Sequence, residues 1–231
     1  MAGTTRATLK SFFRGQQTGA ATPHQELGFG LHTLVAPKHQ NDPNAIDIVA
    51  IHGVNGHYAK TWTHEATGFN WIHESIPKEL PESRVMTFSY NSAVQFSKSN
   101  ADFFVFADQL LECLLTERSS PAEASRPLIF ICHSLGGLVF KRALTRSYEN
   151  ERYTTIYESV AGVMFFGTPH RGASLASWGN LLGKLVKTAF LGTSTNTQLT
   201  EDLKPGSRIL DHTSKAFPER AGDLKIFSFY E

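Results

Sequence analysis

The chain holds only two cysteines in 231 residues, Cys113 and Cys132. One falls in an expected helix and the other in an expected core strand. They read as small buried residues, not as a disulfide framework, which favours a reducing, intracellular setting. No apolar run approaches the roughly 18–20 residues that a membrane span requires. Neither sign of charge dominates, with 22 Lys and Arg against 21 Asp and Glu. No basic stripe with interleaved aromatics is present, so nucleic acid is not an expected partner. The histidines lack ligand spacing with acids or cysteines, so no metal site is expected. There is no P-loop and no dinucleotide fingerprint, so no cofactor is expected either. Acids are missing before Glu26, while Arg6, Lys10 and Arg14 stand among serines and threonines. Residues 1–25 are expected to be a flexible basic leader, only loosely like a mitochondrial presequence. Without an apolar h-region, secretion is not expected.

A hydrophobic content of 41% is enough for one domain with a sizeable core, expected over residues 26–231. Strand and helix signals alternate along it. Strands are expected at Gly28 to Val35, Ile46 to Ile51, Arg84 to Tyr90, Leu128 to Cys132, Val160 to Phe166 and Leu224 to Tyr230. Helices are expected at Trp71 to Leu80, Asn100 to Glu117, Leu138 to Tyr148, Ala173 to Phe190 and Ser207 to Phe217. Ser119 to Pro127 reads as a linker. The alternation predicts an α/β fold with a mostly parallel, doubly wound sheet.

The stretch Ile131-Cys132-His133-Ser134-Leu135-Gly136-Gly137 joins an apolar strand to a helix through a turn of small residues. That is the setting of a nucleophile elbow, which lifts a serine hydroxyl over the end of a sheet. Cys132 stands where the G-x-S-x-G pattern begins with glycine; a small residue meets the same packing need. Upstream, His52-Gly53-Val54-Asn55-Gly56 follows the strand Ile46 to Ile51, where α/β-hydrolases place the other half of an oxyanion hole. Ser134 is therefore the candidate nucleophile, and the N–H groups of Val54 and Leu135 are the candidate oxyanion donors. Asn55 and His170 are assigned to the rim of the site.

Together with Thr61-Trp62-Thr63, Arg84 to Tyr90, the elbow through Val139, and Phe166-Gly167-Thr168-Pro169-His170-Arg171-Gly172, these motifs resemble the SERAC-type serine esterase, lipase-like family. The chain is also similar to the lipase-like N-terminal domains of fungal STAND (NLR-like) proteins, and more distantly to the inositol-deacylase lipases. The resemblance runs from about Gly28 to Glu231 and implies an α/β-hydrolase fold. It further implies hydrolysis or transfer of an acyl group from a lipid or other small ester through an acyl-enzyme, with a part in lipid remodelling. The family's acid follows a late strand, a position taken here by Glu231. Its histidine comes after one more strand, which the sequence does not reach, so the domain is expected to be incomplete at its C-terminal end.

Two readings of the whole remain. One is a serine hydrolase; the other is a non-catalytic hydrolase-like sensing or interaction module of a STAND-type signalling protein with protein partners, or a truncated gene product. His170 is expected to fix its loop and not to act as a replacement base. Trp62, Trp71 and Trp178 are expected in the core, with an acyl-pocket lining as the other option. Leu175 to Leu191 is expected to be a packed crossover helix, with a lid or a membrane-touching helix as the alternative. The cytoplasm is the expected compartment, and the family relatives add mitochondrion and endoplasmic reticulum.

Overall fold

The computed structural model describes residues 28–39, 42, 44–91, 102–170 and 208–229, with residues 179 and 183 in addition. The leader, Trp178, the loop 193–200, Glu231 and all but residues 179 and 183 of the expected helix 173–190 lie outside the described residues.

Six strands form one sheet: β1 (Gly30–Val35), β2 (Ile46–Ile51), β3 (Ser83–Ser89), β4 (Leu128–His133), β5 (Val160–Phe166) and β6 (Lys225–Phe229). The spatial order is β1-β3-β2-β4-β5-β6. Only β1 runs antiparallel, against β3; every other pairing is parallel. This is the mostly parallel α/β sheet expected from the alternation of signals, in the α/β-hydrolase arrangement that the resemblance implies. Every residue of β3 is buried, as is nearly every residue of β2. Continuous apolar runs of this kind suit central strands covered by helices on both faces.

The pleat sends alternate side chains to opposite faces. Val49, Ile51, Met86, Phe88, Phe130 and Cys132 join a larger core with helices α3 (Asp102–Glu117), α5 (Leu135–Glu149) and α7 (Arg208–Arg220). Ile48, Ala50, Val85 and Ile131 join a smaller core with Trp62 and Ile72 on the other face. Ile72 belongs to α1 (Trp71–Glu74), which is followed at once by α2 (Ile76–Glu79). The single helix expected from Trp71 to Leu80 is thus two short ones. Pro77 has no N–H to continue the first ladder and instead occupies the first turn of the second. The expected linker Ser119 to Pro127 contains one helical turn, α4 (Pro121–Ala124). Ser120 and Glu123 cap it reciprocally. Another short helix, α6 (Thr154–Ser159), leads into β5. Among the described residues, no helix is long and apolar enough to cross a membrane.

The starting ends of β2 and β3 and the segment before β4 meet in a buried ion cluster. Asp47, fully buried, accepts from Arg84 Nε at 2.9 Å and Arg84 Nη2 at 2.7 Å, and also from Arg118 Nη1. Arg126 Nη1 stands 3.7 Å from the same carboxylate. Arg84 additionally donates to Glu123 Oε1 at 3.1 Å and to the Glu117 carbonyl at 3.0 Å. The cluster fixes the end of the sheet opposite Ser134.

Candidate active site

Register lines up the other end. Ile51 pairs with Cys132, and Cys132 pairs with Phe165. The chain therefore leaves the sheet in neighbouring positions at His52, Ser134 and Gly167. Ser134 sits between β4 and α5 with φ 51° and ψ −118°. Positive φ is costly for a residue with a Cβ. It is held by three contacts. The Ser134 N–H donates to the Phe166 carbonyl at 2.8 Å. The Ser134 carbonyl accepts from the Gly137 N–H at 3.1 Å and from the Thr168 hydroxyl at 3.0 Å. The helix begins at Leu135, three residues before the apolar run suggests, so Gly136 and Gly137 lie inside its first turn.

The glycines are there for close approach. A Cβ on Gly136 would fall far inside contact distance of the Ile51 carbonyl and 2.5 Å from that of His52. Both are backbone atoms at the end of β2 and cannot swing away. A Cβ on Gly53 would lie 2.8 Å from the Cβ of Ser134. The turn after β2 is thereby pressed directly against the elbow. Gly136→Ala should destabilise the fold at or above the upper end of the roughly 1–3 kcal/mol typical of overpacking. A chemical-denaturation midpoint equal to the wild type would contradict this packing.

Val54 and Asn55 form the tip of that turn, and Asn55 takes a left-handed conformation with φ 53°. The structure thus brings Ser134, Leu135, Val54 and Asn55 to one end of the sheet. His52 lies beneath the turn. Its ring stacks on Tyr90, with centroids 4.4 Å apart and planes 5° from parallel, and the Tyr90 hydroxyl donates to the His52 carbonyl at 2.8 Å. His52 Nδ1 faces the Gly53 carbonyl at 3.0 Å, so Nδ1 carries the proton. Burial pushes this imidazole down to about 4, partly offset by the Gly53 bond and aided by the nearby His57 and His133. Tyr90 was legible only as the end of a strand; its part as the floor under His52 was not.

The His52 shift has a stability consequence. The unfolded chain, with an ordinary histidine near 6.5, takes up the proton first. Stability is therefore full above pH 6.5 and falls as the pH drops toward 4, by on the order of 3 kcal/mol for a shift of this size. The melting temperature should fall across that window, and His52→Gln should flatten the slope. An identical slope in both proteins would refute the assignment.

His170 closes the loop after β5. Its ring meets Phe165 edge-on with centroids 4.9 Å apart. Nδ1 lies 3.1 Å from Lys141 Nζ, and Nε2 lies 3.4 Å from Ser228 Oγ of β6. These contacts join the loop after β5 to α5 and β6. Burial and the Lys141 charge hold the ring at about 4. Lys141 itself, 2% exposed, falls on the buried stripe of α5 with Leu138 and Thr145. A lysine on such a stripe is the signal of this site in the sequence.

Aromatic rings line up beside the elbow. Trp62 meets Trp71 at 6.0 Å, Trp71 meets Phe166 at 6.1 Å, and Phe166 stacks on Phe229 at 4.7 Å. Trp62 is core, as expected; Trp71 is half-buried and Phe229 exposed. Among the described residues, one group has the make-up of a metal site that the sequence spacing did not suggest: His39, Asp42 and Glu82, with ligand atoms within 4.8 Å of one another. It lies ahead of β2 and β3, away from Ser134. His39 Nδ1 is already 2.8 Å from Glu82 Oε1.

Sheet order, elbow and pressed turn define an α/β-hydrolase. Residues 44–213 match the family described as "Putative serine esterase (DUF676)", and the chain belongs to that family. It is similar to protein SERAC1 of Bos taurus, 23% identical over 166 residues, covering 64% of this chain and 25% of that protein. Similarity to protein SERAC1 of Homo sapiens is 22% over 176 residues, covering 68% and 26% respectively. The chain spans about a quarter of the length of these curated relatives. Among solved structures, the NocB thioesterase domain in covalent complex with a fluorophosphonate nocardicin G analog gives a TM-score of 0.45 at 14% identity. That match covers 88% of this chain and 90% of that one.

Proposed function

We propose that the chain is a serine hydrolase acting on carboxylic esters of lipid-like character. Membership of a serine esterase family supports the reaction class. The observation that carries the reading is Ser134, held at φ 51° on the strand-to-helix turn with Gly53 pressed against it. In this reading, Ser134 Oγ attacks the ester carbonyl carbon as a histidine removes its proton. The resulting oxyanion is held by the N–H groups of Val54 and Leu135. Collapse breaks the bond to the alcohol, which leaves with the proton, and water then releases the acid from Ser134 by the reverse steps. Glu231 takes the place of the orienting acid. The half-buried and exposed rings of Trp71, Phe166 and Phe229 offer an apolar wall to the acyl chain. His52 and His170, both held at about 4, are poor bases at neutral pH. The free thiols Cys113 and Cys132 accord with an intracellular setting.

A fluorophosphonate probe tests this. Labelling of the folded chain that vanishes in Ser134→Ala supports an activated serine. Labelling that persists in the variant would refute Ser134 as the nucleophile. A folded chain that stays unlabelled would favour the sensing-module reading.

A further inference from the structure

Lys141 is a buried ammonium with no carboxylate partner among the described residues. Burial pushes it down to about 8, so it still carries its charge at neutral pH. Its three N–H bonds have three kinds of acceptor. The Pro169 carbonyl lies at 3.5 Å, His170 Nδ1 at 3.1 Å, and the rings of Phe165 and Phe217 have centroids at 5.2 and 5.5 Å. Cys132 of β4 is the other titratable neighbour, and burial pushes its thiol up, so it is neutral. A leucine or methionine would fill this aromatic slot without the cost of burying a charge. The lysine is explained if its proton has a task.

An ammonium can only donate. His170 Nδ1, at 3.1 Å, must then accept, and a neutral imidazole with an accepting Nδ1 carries its proton on Nε2. Nε2 faces Ser228 Oγ at 3.4 Å. We propose that Lys141 is a positioning residue that fixes the tautomer of His170. The Nε2 proton is thereby directed to Ser228, and the ring ties the loop after β5 to the end of β6, withheld from service as the base of Ser134. The loop being tied is the one whose Thr168 hydroxyl braces the Ser134 carbonyl. The strand being tied is the one that leads to Glu231. Only the statement about the base rests on the serine-hydrolase reading; the tautomer does not.

The test is long-range proton–nitrogen NMR of the imidazoles in the uniformly ¹⁵N-labelled full chain, compared with Lys141→Met and Lys141→Arg. In the wild type, His170 should show an unprotonated Nδ1 and a protonated Nε2, unchanged from pH 7 to pH 5. Above pH 8, Lys141 loses a proton and can accept as well as donate, so this preference should relax. Lys141→Met should show mixed tautomers and a titration midpoint higher than the wild type; Lys141→Arg should restore the wild-type pattern. A wild-type ring protonated on Nδ1, or a folded Met variant indistinguishable from the wild type, would overturn the proposal. The wild-type spectrum decides even if the Met variant does not fold. Fluorophosphonate labelling of Ser134 that collapses in a folded His170→Gln variant would make the ring a base and overturn that part alone.

Discussion

Ser134→Ala should remove ester hydrolysis and leave the fold standing. Where a complete triad operates, loss of the serine nucleophile costs roughly 10⁶ in kcat. What remains comes from binding and the oxyanion donors. The variant is a clean test because the hydroxyl has no described structural bond; the hydrogen bonds at this residue use its N–H and carbonyl. Alanine at φ 51° bears the same backbone strain as serine, so the melting temperature should barely move. Ser134→Gly separates the two effects. It is equally inactive, yet it relieves a strain of order 1–3 kcal/mol, offset in part by the greater freedom of glycine in the unfolded chain. The expected order of melting temperatures is Gly above Ala and wild type. A glycine variant less stable than the alanine variant would mean that Ser134 is not strained.

Asp47→Asn should strongly destabilise the fold. The substitution keeps the shape and removes the charge on which Arg84, Arg118 and Arg126 converge. Arginine does not give up its proton at any ordinary pH. Among the described residues, Arg84 would keep Glu123 and the Glu117 carbonyl, and Arg118 would keep the carbonyls of Ala124 and Arg126. Breaking a buried pair from one side costs about 3–5 kcal/mol, which is a large share of the roughly 5–15 kcal/mol that holds a typical domain together. For a domain of this size the melting temperature should drop by roughly 6–20 °C, as followed by circular dichroism. A drop of a degree or two would mean that the arginines are compensated elsewhere. Ser134 lies at the other end of the sheet, so labelling at low temperature should survive.

Much of this was legible because it is local. Runs such as Ile46 to Ile51 and Val160 to Phe166 announce central strands, and the observed strands have those same bounds. The elbow was legible for the same reason, since Ser134 and both glycines are adjacent in sequence. Contacts through space were not legible. Asp47 reads as an oddity inside an apolar strand, and its arginine partners lie 37 and 71 residues away. Nothing in the pattern pairs Lys141 with His170 across a helix and a loop. The one-turn helix α4 escaped because its capping box sits in a segment rich in serine and proline, where turn chemistry and helix-start chemistry use the same residues.

The placement of Asp47 also governs when the chain can fold. As the polypeptide leaves the ribosome, β2 is among the first strands to emerge, but its two neighbours are β3 and β4. Of the three guanidinium groups that surround its acid, two come only at positions 118 and 126. Until those emerge, the centre of the sheet would hold an underpaired carboxylate and an open edge. The first ninety residues are therefore not an autonomous folding unit. Long-range pairings of this kind are slow to form, and exposed edges invite association while they wait. A cut between residues 91 and 102 should yield two fragments that are unstructured apart and regain structure only when mixed.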